Sequence, residues 1–352
     1  MFADLKVIDL STVLAGPSVG TFFAELGADV LKIENPSNPD VTRSWKLPSE
    51  DHETNVGAYF SSVNYQKKYL SLDLKSEHDK STLFDLLRTA DILISNFKHG
   101  DDEKFGITTE ELTRINPAII WGQITGFGSE SDRVAYDLIL QAETGYMSMN
   151  GTAESGPVKM PVALIDVLAA HQLKEALLVA LFQREKTGRG TSMTVSLYDA
   201  AICSLVNQAS NYLMEDAIPK RIGSLHPNIA PYGEIFETSD GQLITFAVGN
   251  DRHFKKLCSL ISLDSLADDA RFSNNSDRVK NRVLLKDLLS EKIITKTSEE
   301  IANFCLSEFL PMGVIKSLKQ VFEMQDAKKL IREENLEGRI TKRVTQIAFQ
   351  QK

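Results

Sequence analysis

The chain has little of what anchors metals or disulfides: of 352 residues, three are cysteine and six histidine. Cys203, Cys258 and Cys305 are far apart and odd in number, which fits a reducing compartment and offers no Cys-x-x-Cys metal spacing. No two histidines share metal-ligand spacing on a helix. Positive charge is short as well. Lys and Arg number 39 against 48 Asp and Glu, a net charge of -9, which argues against nucleic acid or an anionic membrane as the main partner. There is also no long uninterrupted apolar run. Residues 164–182 come nearest, but Asp166, His171, Gln172, Lys174 and Glu175 break them, so this stretch reads as a buried helix and not as a membrane span. Met1-Phe2-Ala3-Asp4-Leu5-Lys6 runs straight into a strand pattern with no secretory leader. The expectation is a cytoplasmic protein.

What is present is ordinary globular material, 42% hydrophobic and 25% charged. Strand patterns over residues 6–10, 29–34, 69–74, 91–97 and 118–127 alternate with helical patterns over 17–26 and 76–88. Such alternation predicts parallel βαβ units with right-handed crossovers, hence a doubly wound, mostly parallel, Rossmann-like α/β domain. Residues 192–195 read as a further strand after the long helix. The character changes near Ser224. Ser239-Asp240-Gly241 separates two strand patterns as a hairpin turn, and Thr297 with Glu300 has capping-box spacing. The expected organisation is a large α/β domain over 1–200, a linker over 201–224, and a smaller α+β domain over 225–310. A C-terminal segment, 311–352, returns toward the large domain.

Gly16-Pro17-Ser18-Val19-Gly20 invites a dinucleotide reading, with Glu34 as the ribose carboxylate. Its spacing is Gly-x-x-x-Gly and not Gly-x-Gly-x-x-Gly, so a tight turn into a buried helix is the better reading. Arg43, Lys67, Lys68, Lys75, Lys98 and Lys104 fall near predicted strand ends. Open α/β sheets bind ligands outside the carboxyl ends of their strands, so an anionic ligand is credible there. Asn96-Phe97 adds an amide and a ring suited to a nucleobase. Among the carboxylates, Asp199 reads as a helix N-cap, while Asp137 is balanced between cap and site. Asp166 raises the sharpest question. It stands in Val162-Ala163-Leu164-Ile165-Asp166-Val167-Leu168-Ala169-Ala170, where an unpaired carboxylate loses hydration. It is either a cap or a reactive group. No Gly-x-Ser-x-Gly elbow marks a serine hydrolase.

Several stretches in order resemble the family III CoA-transferases, which include formyl-CoA transferase and the carnitine CoA-transferases and are related to α-methylacyl-CoA racemase. They are Asp9-Leu10-Ser11 with Ala15-Gly16-Pro17, Leu26-Gly27-Ala28-Asp29-Val30 through Lys32-Ile33-Glu34, Asn96-Phe97, Gly126-Phe127-Gly128, Tyr136-Asp137 to Gln141-Ala142, Lys186-Thr187-Gly188-Arg189-Gly190, and Pro231-Tyr232-Gly233. The resemblance implies an interlocked homodimer with acyl-CoA and a carboxylic acid as substrates and no permanently bound cofactor. It implies Asp166 as nucleophile, with Tyr136 and Asp137 beside it. Val13, Arg43, Leu72, Lys75, Asn96, Phe97, Lys98 and Lys104 then line the coenzyme A site. Lys104 stands where arginine is common, keeping the charge but losing bidentate geometry. In place of the family's glycine-rich covering loop the chain reads Ala247-Val248-Gly249-Asn250-Asp251. Two alternatives stay open: a 2-methylacyl-CoA racemase and a non-catalytic CoA-binding protein. The racemase needs a histidine where Tyr136 stands, and tyrosine side chains, ordinarily titrating near ~10, are poor bases.

Overall fold

The computed structural model describes residues 1–350. Six strands form one parallel sheet: β1 (Lys6–Asp9), β2 (Asp29–Glu34), β3 (Lys68–Ser71), β4 (Ile92–Ser95), β5 (Ile120–Thr125) and β6 (Ser192–Ser196). Their order is β3-β2-β1-β4-β5-β6, so the winding reverses between β1 and β4. Five helices matter to the site: α1 (Ala15–Glu25), α2 (Glu77–Leu87), α3 (Asp137–Glu143), α4 (Leu164–Thr187) and α5 (Leu197–Cys203). This is the doubly wound α/β architecture expected from the alternation.

The strands are apolar on both faces because both faces are covered. Side chains along a strand alternate in direction. Val7, Ile92, Ile94 and Ile120 therefore enter one core layer with Val19 and Phe23 of α1 and Ile165, Leu173 and Leu177 of α4. Their neighbours Ile8, Leu93 and Trp121 enter the opposite layer with Leu83 and Leu87 of α2. α4 is 24 residues long, which at 1.5 Å per residue is about 36 Å of helix. Among the described residues no helix is long and apolar enough to cross a membrane.

The chain divides into two compact units. The first holds the parallel sheet and also takes in residues 329–350. There β10 (Ile331–Leu336) and β11 (Arg339–Val344) form an antiparallel hairpin. The sequence patterns did not single this hairpin out, because its strands carry mixed charge and little apolar alternation. Glu25 at the end of α1 ties the tail down: its carboxylate accepts from Thr345 Oγ1 at 2.6 Å and from the backbone amides of Gln346 and Ile347 at 2.8 and 3.1 Å. Arg343 completes the cluster as an ion pair with Glu25.

The second unit spans Arg221–Lys328 together with Gly151–Gly156. Its antiparallel sheet is β7 (Tyr232–Glu237), β8 (Leu243–Ala247) and β9 (Met312–Val314). The β7–β8 turn carries Gly241 at φ 71, as the Asp-Gly signal predicts. Thr297 and Glu300 form the expected capping box. Inside this unit Arg278 is fully buried. It is accommodated because it donates to the carbonyls of Ala230 and Phe272 and to Asp251, at 2.9, 3.0 and 2.7 Å.

Candidate active site

In an open parallel sheet the point where the winding reverses leaves a crevice beyond the strand ends. Here that point lies between β1 and β4. A pocket of about 430 Å³ opens there, lined by residues that follow β1, β4 and β5 and by Asp166 of α4. Two close approaches shape it. A Cβ on Gly16 would overlap the side chain of Ser11, and one on Gly126 would overlap that of Ala135. Glycine at these positions lets α1 press on the loop after β1, and lets the loop carrying Tyr136 fold back over the end of β5.

Asp166 is the third residue of α4, and only 8% of its surface is exposed. Its carboxylate has no hydrogen bond or ion pair among the described residues, and its pKa is pushed up to about 7, first by burial and then by the charge of Asp137. The capping question posed by the sequence resolves against Asp166. Asp137 caps α4 instead: its Oδ1 accepts from the amides of Ile165 at 2.7 Å and Asp166 at 3.4 Å. Asp137 Oδ2 accepts from Gln141 Nε2 at 2.6 Å, and Gln141 Oε1 accepts from Met160 N at 2.7 Å. Asp137 therefore serves as cap to a helix 28 residues further on, while itself opening α3. One carboxylate takes the free amides of the helix start and the other is left without partners.

The remaining carboxylate expectation needs correcting. Asp199 is not the N-cap of α5. Ser196 is, with its hydroxyl accepting from Asp199 N at 2.9 Å and donating to Asp199 Oδ2 at 2.6 Å. The residue three positions before an acid supplied the cap, as serine commonly does.

Of the positions predicted to contact coenzyme A, Val13, Asn96, Phe97, Lys98 and Lys104 line the pocket, together with Tyr136 and Asp166. Lys104 pairs with Asp101 at 2.7 Å on the exposed rim. Three others lie outside this lining. Arg43 binds Glu34 at 2.8 Å and stacks 3.8 Å over the Phe60 ring. Leu72 is buried in the core layer with α2, and Lys75 is exposed. Glu34 is thus occupied by Arg43. Lys67, counted with the anion-facing lysines, is buried and pairs with Asp9 at 2.8 Å. Lys68 pairs with Asp29 on the surface. His99, Gln123 and Arg133 also line the pocket and were missed: His99 and Arg133 sit in no periodic pattern, and Gln123 lies within a strand whose pattern reports burial and not which residue reaches the pocket. Only the fold-back allowed by Gly126 brings Arg133 in.

The loop after β1 is held from three directions. Asn96, just past β4, accepts from Thr12 N at 3.0 Å and donates to Thr12 O at 2.9 Å. Its amide is therefore committed to backbone and not to a base. Lys32 of β2 donates from Nζ to Ser11 O at 2.6 Å and pairs at 3.2 Å with Asp40, both charges fully buried. Asp40 in turn accepts from Val13 N at 3.2 Å and from Thr42 N at 3.0 Å. Val13 has φ 72, a left-handed conformation costing a β-branched residue on the order of 1–3 kcal/mol. Phe97 packs against Phe105 with ring centroids 5.5 Å apart.

The family model described as CoA-transferase family III matches residues 2–348. A succinate–glutarate CoA-transferase of Agrobacterium fabrum is 37% identical over 326 residues, covering 91% of this chain and 81% of that protein. The human succinyl-CoA:glutarate CoA-transferase is 32% identical, covering 90% and 72%. The crystal structure of a CaiB/BaiF family protein from Brucella suis superposes with a TM-score of 0.83 at 35% identity, covering 98% of this chain and 91% of that one. The chain belongs to CoA-transferase family III.

Proposed function

We propose that this protein moves CoA from an acyl-CoA thioester to a free carboxylic acid by covalent catalysis at Asp166. The observation that carries the reading is the state of that side chain: buried, without partners, and facing the pocket at the start of a helix. A carboxylate is weakly nucleophilic in water and gains reactivity when its hydration is removed. Left unpaired, the ionised Asp166 costs the fold some stability, and the substrate carbonyl is the partner we assign to it.

The steps balance without any added redox agent. A carboxylate oxygen of Asp166 attacks the thioester carbonyl, the C–S bond breaks, and CoA leaves as thiolate. The product is an acyl-aspartyl anhydride. The thiolate then attacks the Asp166 carbonyl, releasing the donor acid as carboxylate and forming an aspartyl-CoA thioester. An incoming carboxylate attacks this thioester and expels the thiolate. The thiolate takes the new acyl group and frees Asp166. Each intermediate, anhydride or thioester, carries an activated carbonyl that water would hydrolyse, so exclusion of water is the central demand on the site. Lys98 and Lys104 are the candidate cations for the nucleotide end, and Tyr136 flanks the reacting carbonyl.

We also propose a homodimer. The family resemblance motivates it, and Phe182, Leu213 and Met214, exposed by 61, 77 and 77% on the first unit, are apolar surface that a second copy would bury. The first acids to test are those in the names of the relatives, succinate and glutarate. With succinyl-CoA and glutarate, mass spectrometry should detect glutaryl-CoA. Hydroxylamine should trap a hydroxamate at Asp166, and Asp166→Asn should abolish transfer. Trapping at another carboxylate, or near-normal transfer by Asp166→Asn, would sink the mechanism.

A further inference from the structure

Lys32 and Asp40 form a fully buried ion pair in the first unit that the proposed reaction does not use. A buried ion pair gives a fold little net stability over an apolar pair of the same volume, so stability alone is a poor reason for it. What the two groups touch is more informative. Lys32 holds Ser11 O, Asp40 holds Val13 N, and Asn96 holds both backbone groups of Thr12 between them. Three successive residues of one short loop are therefore tethered by side chains from β2, from the segment after β2, and from the end of β4. β2 and β4 are the two strands that flank β1.

The loop so held is the one that enters the pocket. Thr12, Val13 and Leu14 line it together with Asp166, and Val13 stands in the left-handed region that its branched side chain disfavours. Strained backbone persists where the surroundings over-determine it, and such positions cluster at ligand clamps. Left untethered, Val13 would relax and carry the pocket wall with it.

We propose that Asp40, backed by Lys32 and joined by Asn96, is a positioning residue for coenzyme A, holding residues 11–14 in the strained shape that receives it. This rests on the reading of the pocket as the CoA site. It assigns Asn96 to the loop and not to the adenine, and it makes Asp40 matter to binding although it does not line the pocket.

The test is a double-mutant cycle on the full-length protein, read as the Kd of CoA by calorimetry, with thermal unfolding alongside. Asp40→Asn should weaken binding about tenfold, the equivalent of ~1.4 kcal/mol. Glycine adopts the left-handed region freely. On a Val13→Gly background, the same Asp40→Asn change should therefore cost less than about threefold relative to Val13→Gly alone. Should Asp40→Asn not fold, Asn96→Ala carries the same cycle, with the same loss in the parent protein and the same rescue on the Val13→Gly background. An equal loss on both backgrounds would mean direct contact with the ligand and overturn the proposal. So would a fall in melting temperature with the Kd unchanged, which is what a purely structural role predicts. Failure of the unsubstituted protein to bind CoA would instead remove the reading of the pocket itself.

Discussion

Asp166 should make the protein less stable as pH rises, and Asp166→Asn should abolish that effect. Burial and the neighbouring charge of Asp137 move its carboxyl from the ordinary 3.8 to about 7. A folded-state pKa above the unfolded value means that the native state binds the proton more tightly. The stabilisation is complete below the unfolded pKa and is lost as pH climbs through the folded one. Between pH 5 and pH 8 the unfolded chain is almost fully ionised at this position, whereas the native chain passes from protonated to ionised. From these two pKa values, linkage sets the loss across that interval at roughly 2–3 kcal/mol. The variant's amide cannot ionise but leaves donors unpaired in the pocket, a pH-independent cost of about 1–3 kcal/mol. Asp166→Asn should therefore be the less stable protein at pH 5 and draw level with the parent, or pass it, at pH 8. Urea unfolding of both proteins at the two pH values, at one protein concentration, measures the gap. A gap that stays constant within about 0.5 kcal/mol would show that Asp166 titrates normally, and the argument for a desolvated nucleophile would fail with it.

Two further outcomes follow from the same geometry. Asp137→Asn keeps an oxygen to accept from the amides of Ile165 and Asp166 but removes the charge beside Asp166. It also turns an amide donor toward Gln141 Nε2, so the variant should lose about 1–3 kcal/mol of stability, while the acid limb of the pH–rate profile moves to lower pH; an unmoved limb would contradict the coupling. Sedimentation at micromolar concentration should find a dimer; a folded monomer there would remove the proposed assembly.

Much of the fold was legible because its causes are local. Val7 and Ile8, or Ile92 and Leu93, alternate between two covered faces and so read as buried strands, and the intervening helices carry their own apolar stripes. The Asp240-Gly241 turn and the Thr297–Glu300 capping box are each encoded within a few residues. The family resemblance was legible for another reason: its stretches keep their order along the chain. The charged hairpin of β10 and β11 escaped notice because no periodic apolar face marks it.

The site was only partly legible, and the division is physical. The sequence by itself showed that Asp166 is an aspartate among apolar neighbours and so either paired or reactive. Which of the two depends on Asp137, whose carboxylate reaches the start of α4 only after β5 and α3 have been placed. The same holds for Asn96, whose amide is bound to Thr12, 84 residues away, because β4 lies beside β1. Lys67 looked like a free cation until Asp9, 58 residues distant, proved to be its partner. Periodicity reports which face of an element is covered, since covering acts on every second or every third to fourth residue. A tether between two loops acts on single residues far apart in the chain. It leaves no period behind, and so it was decided by the crossover that sets β1 next to β4.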